Sequence, residues 1–186
     1  YKQALKIKPD FEIARANKLH EQTHICDWTG IQQDGEIIPT IGTIKQEIRP
    51  FAVLALEDEP ARHRLRSEIF AKNKFPQKPL PLTPKPSHKP KRLRIGYFSA
   101  DFHNHATMYL MAKIFEAHDP EKLVLYAYSF GNEANDEMRQ RLINSVDVFD
   151  DVKMMSDQDI ALLARQDEID IAIDLKGFTI NSRTGF

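Results

Sequence analysis

One carboxylate and two imidazoles follow an apolar segment in the middle of the chain. Residues 93–99 have the character of a buried strand, and Asp101, His103 and His105 come soon after it. Ligands of open α/β sheets bind at the carboxyl ends of the parallel strands, so chemistry is expected at this loop. A carboxylate beside a histidine fixes its tautomer and raises its basicity, so Asp101 and His105 predict an orienter and a general base. The alternative is that Asp101 caps the following helix and His105 is merely exposed.

The two histidines also raise the question of a metal. His103 and His105 alternate, so an extended chain would place both rings on one side, as two metal ligands would be placed. No third ligand follows at the usual spacing, and we therefore expect no metal here. The glycine-rich fingerprints G-x-G-x-x-G and G-x-x-x-x-G-K are absent as well, so the phosphates of a bound nucleotide should be held elsewhere.

Alternating strands and helices are predicted to position this loop. The predicted strands are residues 93–99, 123–130, 146–149 and 169–175, and the predicted helices are residues 107–117, 134–143 and 156–165. Strands that alternate with helices at this spacing favour right-handed βαβ units and a parallel sheet. The fold class is therefore α/β, with a Rossmann-like parallel sheet.

The topology of such a sheet predicts one crevice. In the doubly wound strand order 3-2-1-4, strands one and four are neighbours, so the loops 99–105 and 176–179 should face each other. The polar residues best placed to line this crevice are Asp101, His105, Thr107 and Thr179.

The N-terminal part of the chain predicts helices. Tyr1, Ala4 and Pro9 have the spacing found near the end of a tetratricopeptide repeat. The helix predicted over residues 12–26 does not continue the repeat signature. We interpret residues 1–28 as the end of a repeat and its capping helix, with an ordinary helical hairpin as the alternative.

Residues 29–75 are interpreted as a helical and irregular connecting region. The apolar segment 50–56 is expected to be buried. Asp58 is expected to cap a helix that has Pro60 in its first turn. The residues that recur every four positions on the expected buried face of this helix are Ala61, Leu65 and Ile69.

Proline dominates the next segment. Residues 76–90 contain six prolines, which prevents regular structure, so residues 76–91 predict an extended, semi-rigid connector. A proline-rich recognition peptide is the alternative. Residues 92–186 are the α/β domain, and because that domain stops after its fourth strand we expect the protein to continue.

The composition excludes several classes of protein. With 26 Lys and Arg against 27 Asp and Glu, the chain has no broad electrostatic footprint for nucleic acid. The single cysteine, Cys26, excludes an internal disulfide and suits a reducing compartment. No apolar segment approaches the roughly 20 residues that span a bilayer, and the start does not resemble a signal peptide. We therefore expect a cytoplasmic protein that binds neither membranes nor nucleic acid.

Residues 93–105 resemble the signature of protein O-linked N-acetylglucosamine transferases, including the bacterial relatives fused to tetratricopeptide repeats. Three further segments resemble that family in the same order: residues 6–11 followed by 25–28, residues 123–129, and residues 169–179. The resemblance implies that the α/β domain is the N-terminal lobe of a GT-B glycosyltransferase, preceded by an all-α repeat cap.

The resemblance also implies an activity. Members transfer N-acetylglucosamine from UDP-GlcNAc to Ser or Thr hydroxyls of proteins with inversion, without a cofactor or metal, and protein acceptors are implied to bind through the repeats. Asp101 and His105 match the functional Asp and His of the family, with His105 viewed as a base or a donor-positioning group. Thr107 matches a residue near the donor sugar, and Gly177 and Thr179 lie in a Gly–aromatic–Thr loop implied to bind donor or acceptor.

Two departures from the family pattern matter. Phe51 stands in the region where animal enzymes carry a histidine-rich loop, so His105 must carry any imidazole role in this lobe. Ala106 replaces a proline. The second lobe, which supplies most uridine and diphosphate contacts, is absent, so the isolated chain is expected to be inactive. The alternatives are a non-catalytic interaction module built on tetratricopeptide repeats, or a relative that uses another UDP-sugar or an Asn acceptor.

Overall fold

The computed structural model describes residues 1–44, 46–76, 90–179 and 181–185. The chain divides into two compact units, Tyr1–Pro79 and Leu80–Phe186. The predicted repeat end and the predicted connecting region fall together in the first unit. Most of the predicted proline-rich connector, residues 77–89, lies outside the described residues.

The first unit is helical. Its elements are α1 (Lys2–Ile7), α2 (Glu12–His24), α3 (Trp28–Gln33), 3₁₀ turns at Ile38–Thr40 and Pro50–Val53, and α4 (Pro60–Lys74). Side chains of α2 and of the segment between α3 and α4 form one buried core. Its members are Ala16, Leu19, Ile38, Ile41, Ile48, Ala52 and Val53. The helix predicted to be a cap, α2, therefore shares a core with residues of the predicted connecting region.

The apolar segment 50–56 is buried on one side only. Ala52 and Val53 are buried, whereas Phe51 and Leu54 are 49% and 51% exposed. The prediction of a wholly buried segment is wrong because a 3₁₀ turn points its successive side chains in three directions.

Helix α4 buries a different face from the predicted one. Ala61 and Leu65 are exposed and Ile69 is half-buried, while Arg66 is 0% exposed. The apolar period of four therefore marks the outer flank of this helix, and a charged residue occupies its buried centre.

The burial of Arg66 is compensated by its partners. Its guanidinium forms an ion pair with Glu57. It also donates to the carbonyl oxygens of Ile41 and Ile38, each at 2.8 Å. A buried charge is tolerated only when it is paired and hydrogen-bonded, and these contacts meet both conditions. Arg66 thus ties α4 to the irregular segment before it.

The start of α4 also differs from the prediction. Glu59 is the N-cap residue, and its side chain makes no capping hydrogen bond, so the predicted cap by Asp58 is wrong. Pro60 does stand in the first turn, where its missing N–H leaves no intrahelical bond unmade.

The second unit is a parallel sheet flanked by helices. Its elements are β1 (Leu93–Ser99), α5 (Ala106–Ala117), β2 (Leu123–Ser129), α6 (Glu137–Ile143), β3 (Val148–Asp151), α7 (Asp157–Gln166) and β4 (Ile171–Asp174). The strand order is β3-β2-β1-β4, which confirms the predicted order 3-2-1-4. Helices α5 and α6 pack into the core on one face of the sheet, and α7 packs into the core on the other.

The central strand β1 aligns the ends of its two neighbours. Ser99 is level with Ser129 on β2, and Phe98 is level with Asp174 on β4. The loops that leave β1 and β4 therefore start at the same edge of the sheet, where the strand order reverses.

Side-chain caps set the first residues of α6 and α7. Helix α6 begins at Glu137, three residues later than predicted, because the Asp136 carboxylate accepts from the Arg139 N–H and acts as its cap. The cap of α7 is the predicted one, since Ser156 accepts from the Asp159 N–H at 3.2 Å. Within the described ranges, no helix has the length and apolarity needed to cross a membrane.

Candidate functional site

The loops after β1 and β4 meet in a nearly buried ion pair. The Lys176 ammonium donates to Asp101 Oδ2 at 2.8 Å. The side chains of Lys176 and Asp101 are only 8% and 11% exposed. The two loops therefore face each other, as the strand order predicts, and a pair of opposite charges joins them.

Backbone hydrogen bonds place Lys176 opposite Asp101. The N–H of Leu175 extends the β-ladder by donating to Phe98 O at 3.0 Å. The Asp174 carboxylate then turns the chain by accepting from the N–H groups of Lys176 (2.8 Å) and Gly177 (3.1 Å). Gly177 has φ +51°, a left-handed conformation that glycine adopts without a steric penalty.

Asp101 is held by the end of its own strand. Its N–H donates to the hydroxyl of the buried Ser99 at 3.0 Å. Its Oδ2 also lies 3.5 Å from Thr107 Oγ1, in addition to the contact with Lys176. The carboxylate therefore points into the crevice and does not cap α5.

The cap of α5 is His105 itself. Its Nδ1 accepts from the Thr107 N–H at 3.2 Å and lies 3.1 Å from Thr107 Oγ1. A backbone N–H is a fixed donor, so Nδ1 carries a lone pair and the neutral ring carries its proton on Nε2. His105 Nδ1 lies 3.6 Å from Asp101 Oδ2. Because both atoms are acceptors, this contact is not a hydrogen bond. The structure thus brings the predicted orienter and base together without the bond between them that the prediction assumed.

A second carboxylate anchors the loop that carries the histidines. Asp136 accepts from the Asn104 N–H at 2.9 Å and from the Arg139 N–H at 3.0 Å. These backbone hydrogen bonds, that of Asn104 first, hold the pKa of Asp136 below its usual value. The same side chain therefore starts α6 and fixes the backbone next to His105.

The remaining predicted residues lie on the facing loop. Gly177 and Thr179 are exposed, and Thr179 Oγ1 donates to the Lys176 carbonyl at 2.8 Å. Within the described part of the chain, neither has a side-chain hydrogen bond with Asp101 or His105. The structure therefore does not join these two residues to Asp101 and His105, and their hydrogen bonds lie within their own loop.

Sequence reasoning missed Lys176. The residue was assigned only to a loop, although a lysine directly after strand four faces a carboxylate after strand one in the predicted topology. Charge complementarity between the two loops is the signal that identifies it.

The histidine pair shows no metal-site geometry. The ring centroids of His103 and His105 are 5.6 Å apart and nearly perpendicular. In the portion of the chain that the structure describes, no group of three His, Cys, Asp or Glu side chains is arranged to hold a metal ion.

Known proteins share both the sequence and the fold of this chain. Residues 67–186 match the sequence model of glycosyl transferase family 41. A stretch of 93 residues is 42% identical to the probable UDP-N-acetylglucosamine–peptide N-acetylglucosaminyltransferase SEC of Arabidopsis thaliana, covering 50% of this chain and 10% of that protein. The UDP-N-acetylglucosamine–peptide N-acetylglucosaminyltransferase of Caenorhabditis elegans is 34% identical over 94 residues, which cover 50% of this chain and 8% of that protein.

A solved structure extends the similarity to most of the chain. A mutant O-GlcNAc transferase from Thermobaculum terrenum superposes with a TM-score of 0.59 and 28% identity, covering 93% of this chain and 28% of that one. The chain thus spans about a tenth of the curated relatives that it matches and about a quarter of the solved chain.

Proposed function

This chain belongs to glycosyl transferase family 41, and on that premise we propose that it is part of a cytoplasmic enzyme that glycosylates proteins. The proposed reaction transfers N-acetylglucosamine from UDP-N-acetylglucosamine to Ser or Thr hydroxyls, with inversion at the anomeric carbon. The observation that supports it is the crevice at the switch point of the sheet, where Asp101, His105 and Thr107 converge with Lys176. The proposed route for acceptor proteins is through tetratricopeptide repeats, of which Tyr1, Ala4 and Pro9 carry the signature.

The chemistry of an inverting transfer defines what the crevice must do. The acceptor oxygen forms a bond to the anomeric carbon while the bond from that carbon to the UDP oxygen breaks, and the hydroxyl proton leaves to a base. His105, with its proton on Nε2 and its ring 43% exposed, is suited to donate a hydrogen bond to a donor-substrate oxygen. Thr107, at the start of α5, lies beside it. We therefore assign both residues to binding of the donor and leave the proton acceptor outside this pair.

The negative charge of the UDP leaving group must be stabilised by groups outside this crevice. Departure of a diphosphate requires preorganised positive charge or helix N-terminal N–H groups. Lys176 is already paired with Asp101, and the start of α5 is already capped by His105. We therefore propose that residues 1–186 bind part of the substrate and do not catalyse transfer alone.

A transfer assay tests the function. Labelled UDP-GlcNAc and cell lysate are incubated with the gene product that contains this chain, with its His105→Ala variant, and with residues 1–186 alone. We expect label on protein from the intact product, loss of most of it in the variant, and none from residues 1–186. The matched control is His24→Ala, an exposed histidine of the first unit, which should retain full activity.

Other outcomes decide between the alternatives. Label that survives His105→Ala would keep the enzyme and remove this residue from its site. No label together with no binding of any UDP-sugar would favour a non-catalytic interaction module. Competition by unlabelled UDP-glucose or UDP-GalNAc that equals competition by UDP-GlcNAc would contradict the assignment of the donor.

A further inference from the structure

We propose that Lys176 is a positioning residue: by neutralising Asp101 it holds His105 as the Nε2–H tautomer, with a hydrogen-bond donor directed at the ligand. This assignment concerns the chemistry of the site proposed above, and only its activity test rests on the proposed function. The contact that carries it is the 2.8 Å ion pair between Lys176 Nζ and Asp101 Oδ2.

The position of Lys176 is built by the fold. Burying a lysine is costly unless it is paired, and this side chain is only 8% exposed. Its backbone is held by the hydrogen bond from the Leu175 N–H to Phe98 and by the Asp174 carboxylate, which accepts from the N–H groups of Lys176 and Gly177. The ammonium therefore reaches Asp101 from a rigid strand end, which is the condition for a fixed electrostatic effect.

The same carboxylate oxygen lies beside His105. Asp101 Oδ2 is 3.6 Å from Nδ1, the atom that accepts the Thr107 N–H. Two acceptors at this distance repel each other unless one of them is neutralised. Lys176 supplies the neutralising charge, because its ammonium shares that oxygen at 2.8 Å. The ring can then keep its Nδ1 lone pair for the helix cap.

Removing the ammonium reverses this preference. An uncompensated carboxylate beside an imidazole attracts a proton to the nearer ring nitrogen. The proton of the neutral ring would move from Nε2 to Nδ1, the hydrogen bond from the Thr107 N–H to Nδ1 would break, and Nε2 would present a lone pair instead of a donor. Lys176 thus sets whether His105 donates to a ligand or accepts from it.

The ring-nitrogen NMR spectrum of the ¹⁵N-labelled 186-residue chain tests this directly. Spectra are recorded well above the ordinary imidazole pKa of about 6.5, and the His105 signals are assigned with His105→Gln. We expect Nε2–H in the native chain and in Lys176→Arg, which preserves the charge. We expect Nδ1–H in Lys176→Met, and a return to Nε2–H when Asp101→Asn is added to it.

Two results would overturn the proposal. One is Nδ1–H in the native chain. The other is unchanged Nε2–H in a folded Lys176→Met chain, with folding judged from the amide spectrum. Should Lys176→Met fail to fold, Lys176→Gln takes its place, because an amide can still donate to Asp101 without neutralising it and should also give Nδ1–H.

An activity measurement adds a second, separable readout. In the intact gene product, Lys176→Met should lower kcat/KM by roughly tenfold or more, since an imidazole in the wrong tautomer cannot perform its role. Lys176→Arg should restore most of this loss. Absence of transfer in the native protein would refute the proposed function and leave the tautomer result standing, whereas full activity in Lys176→Met would refute the positioning role.

Discussion

The Tyr128 hydroxyl donates a hydrogen bond of 2.7 Å to Asp167 Oδ2, and this bond ties the C-terminal end of β2 to the C-cap residue of α7. Tyr128 is fully buried. Burial, followed by the contact with Asp167, raises the pKa of its phenol, so the hydroxyl remains a donor at every physiological pH.

Tyr128→Phe should therefore destabilise the second unit. Removing a hydrogen bond to a charged acceptor costs about 1.5–3 kcal/mol of unfolding free energy. The measurement is urea denaturation followed by the amide NMR signals of β1 and β2. Tyr126→Phe is the matched control: it stacks on the same ring at 6.2 Å between centroids and should change stability by less than about 0.5 kcal/mol. Equal effects of the two substitutions would contradict the role of the hydroxyl.

Asp150 should make the second unit less stable at neutral pH than in acid. Burial, and then the negative charge of Asp167, raise the pKa of Asp150 above 3.8. The folded state then binds this proton more tightly than the unfolded state, so the stabilising contribution is present below pH 3.8 and is lost as the pH rises through the folded-state pKa.

Asp150→Asn is accordingly expected to raise the urea midpoint at neutral pH and to leave it nearly unchanged at acid pH. Asp151→Asn provides the opposite case, because Asp151 forms an ion pair with the buried Arg139 at 3.1 Å and its loss should lower the midpoint at neutral pH. A pH-independent gain from Asp150→Asn would show that packing and not ionisation is responsible.

Arg66→Ala should unfold or strongly weaken the first unit. It would leave Glu57 and the carbonyls of Ile38 and Ile41 without their buried partner, at a cost of about 3–5 kcal/mol. The single tryptophan, Trp28, lies in this unit, so its fluorescence in urea reports the loss. Arg64→Ala is the control, since that exposed ion pair with Glu68 contributes less than about 1 kcal/mol.

Gly131→Ala should disturb the crevice from the side of β2. A Cβ at this position would lie 1.8 Å from the carbonyl oxygen of Ala100, the residue before Asp101. The clash is with backbone, so the loop after β1 must shift, at a cost of about 1–3 kcal/mol and with changed amide signals around Asp101. Gly177→Ala meets no atom within 4 Å and should cost about 1 kcal/mol through its left-handed backbone alone. Undisturbed Asp101 signals in Gly131→Ala would refute this account.

Local patterns determined much of this protein. Patterns of neighbouring residues predict the apolar segment 93–99, the cap at Ser156 and the alternation of strands with helices. The topology rule for parallel sheets then predicts the strand order and the crevice. Asp101, His105 and Thr107 are within seven residues of one another, and their proximity follows from the strand-to-helix turn that they occupy.

Only the tertiary structure decided which groups these residues engage. Lys176 and Asp101 are 75 positions apart, and Arg66 reaches carbonyls 25 and 28 positions away. No local period encodes such contacts, so the sequence favoured an apolar face for α4 and an Asp101–His105 hydrogen bond. Both differences have the same physical reason, because a buried charge pairs with the oppositely charged group that the fold places nearest to it. In the folded chain that partner is Glu57 for Arg66 and Lys176 for Asp101, which leaves His105 to cap its helix.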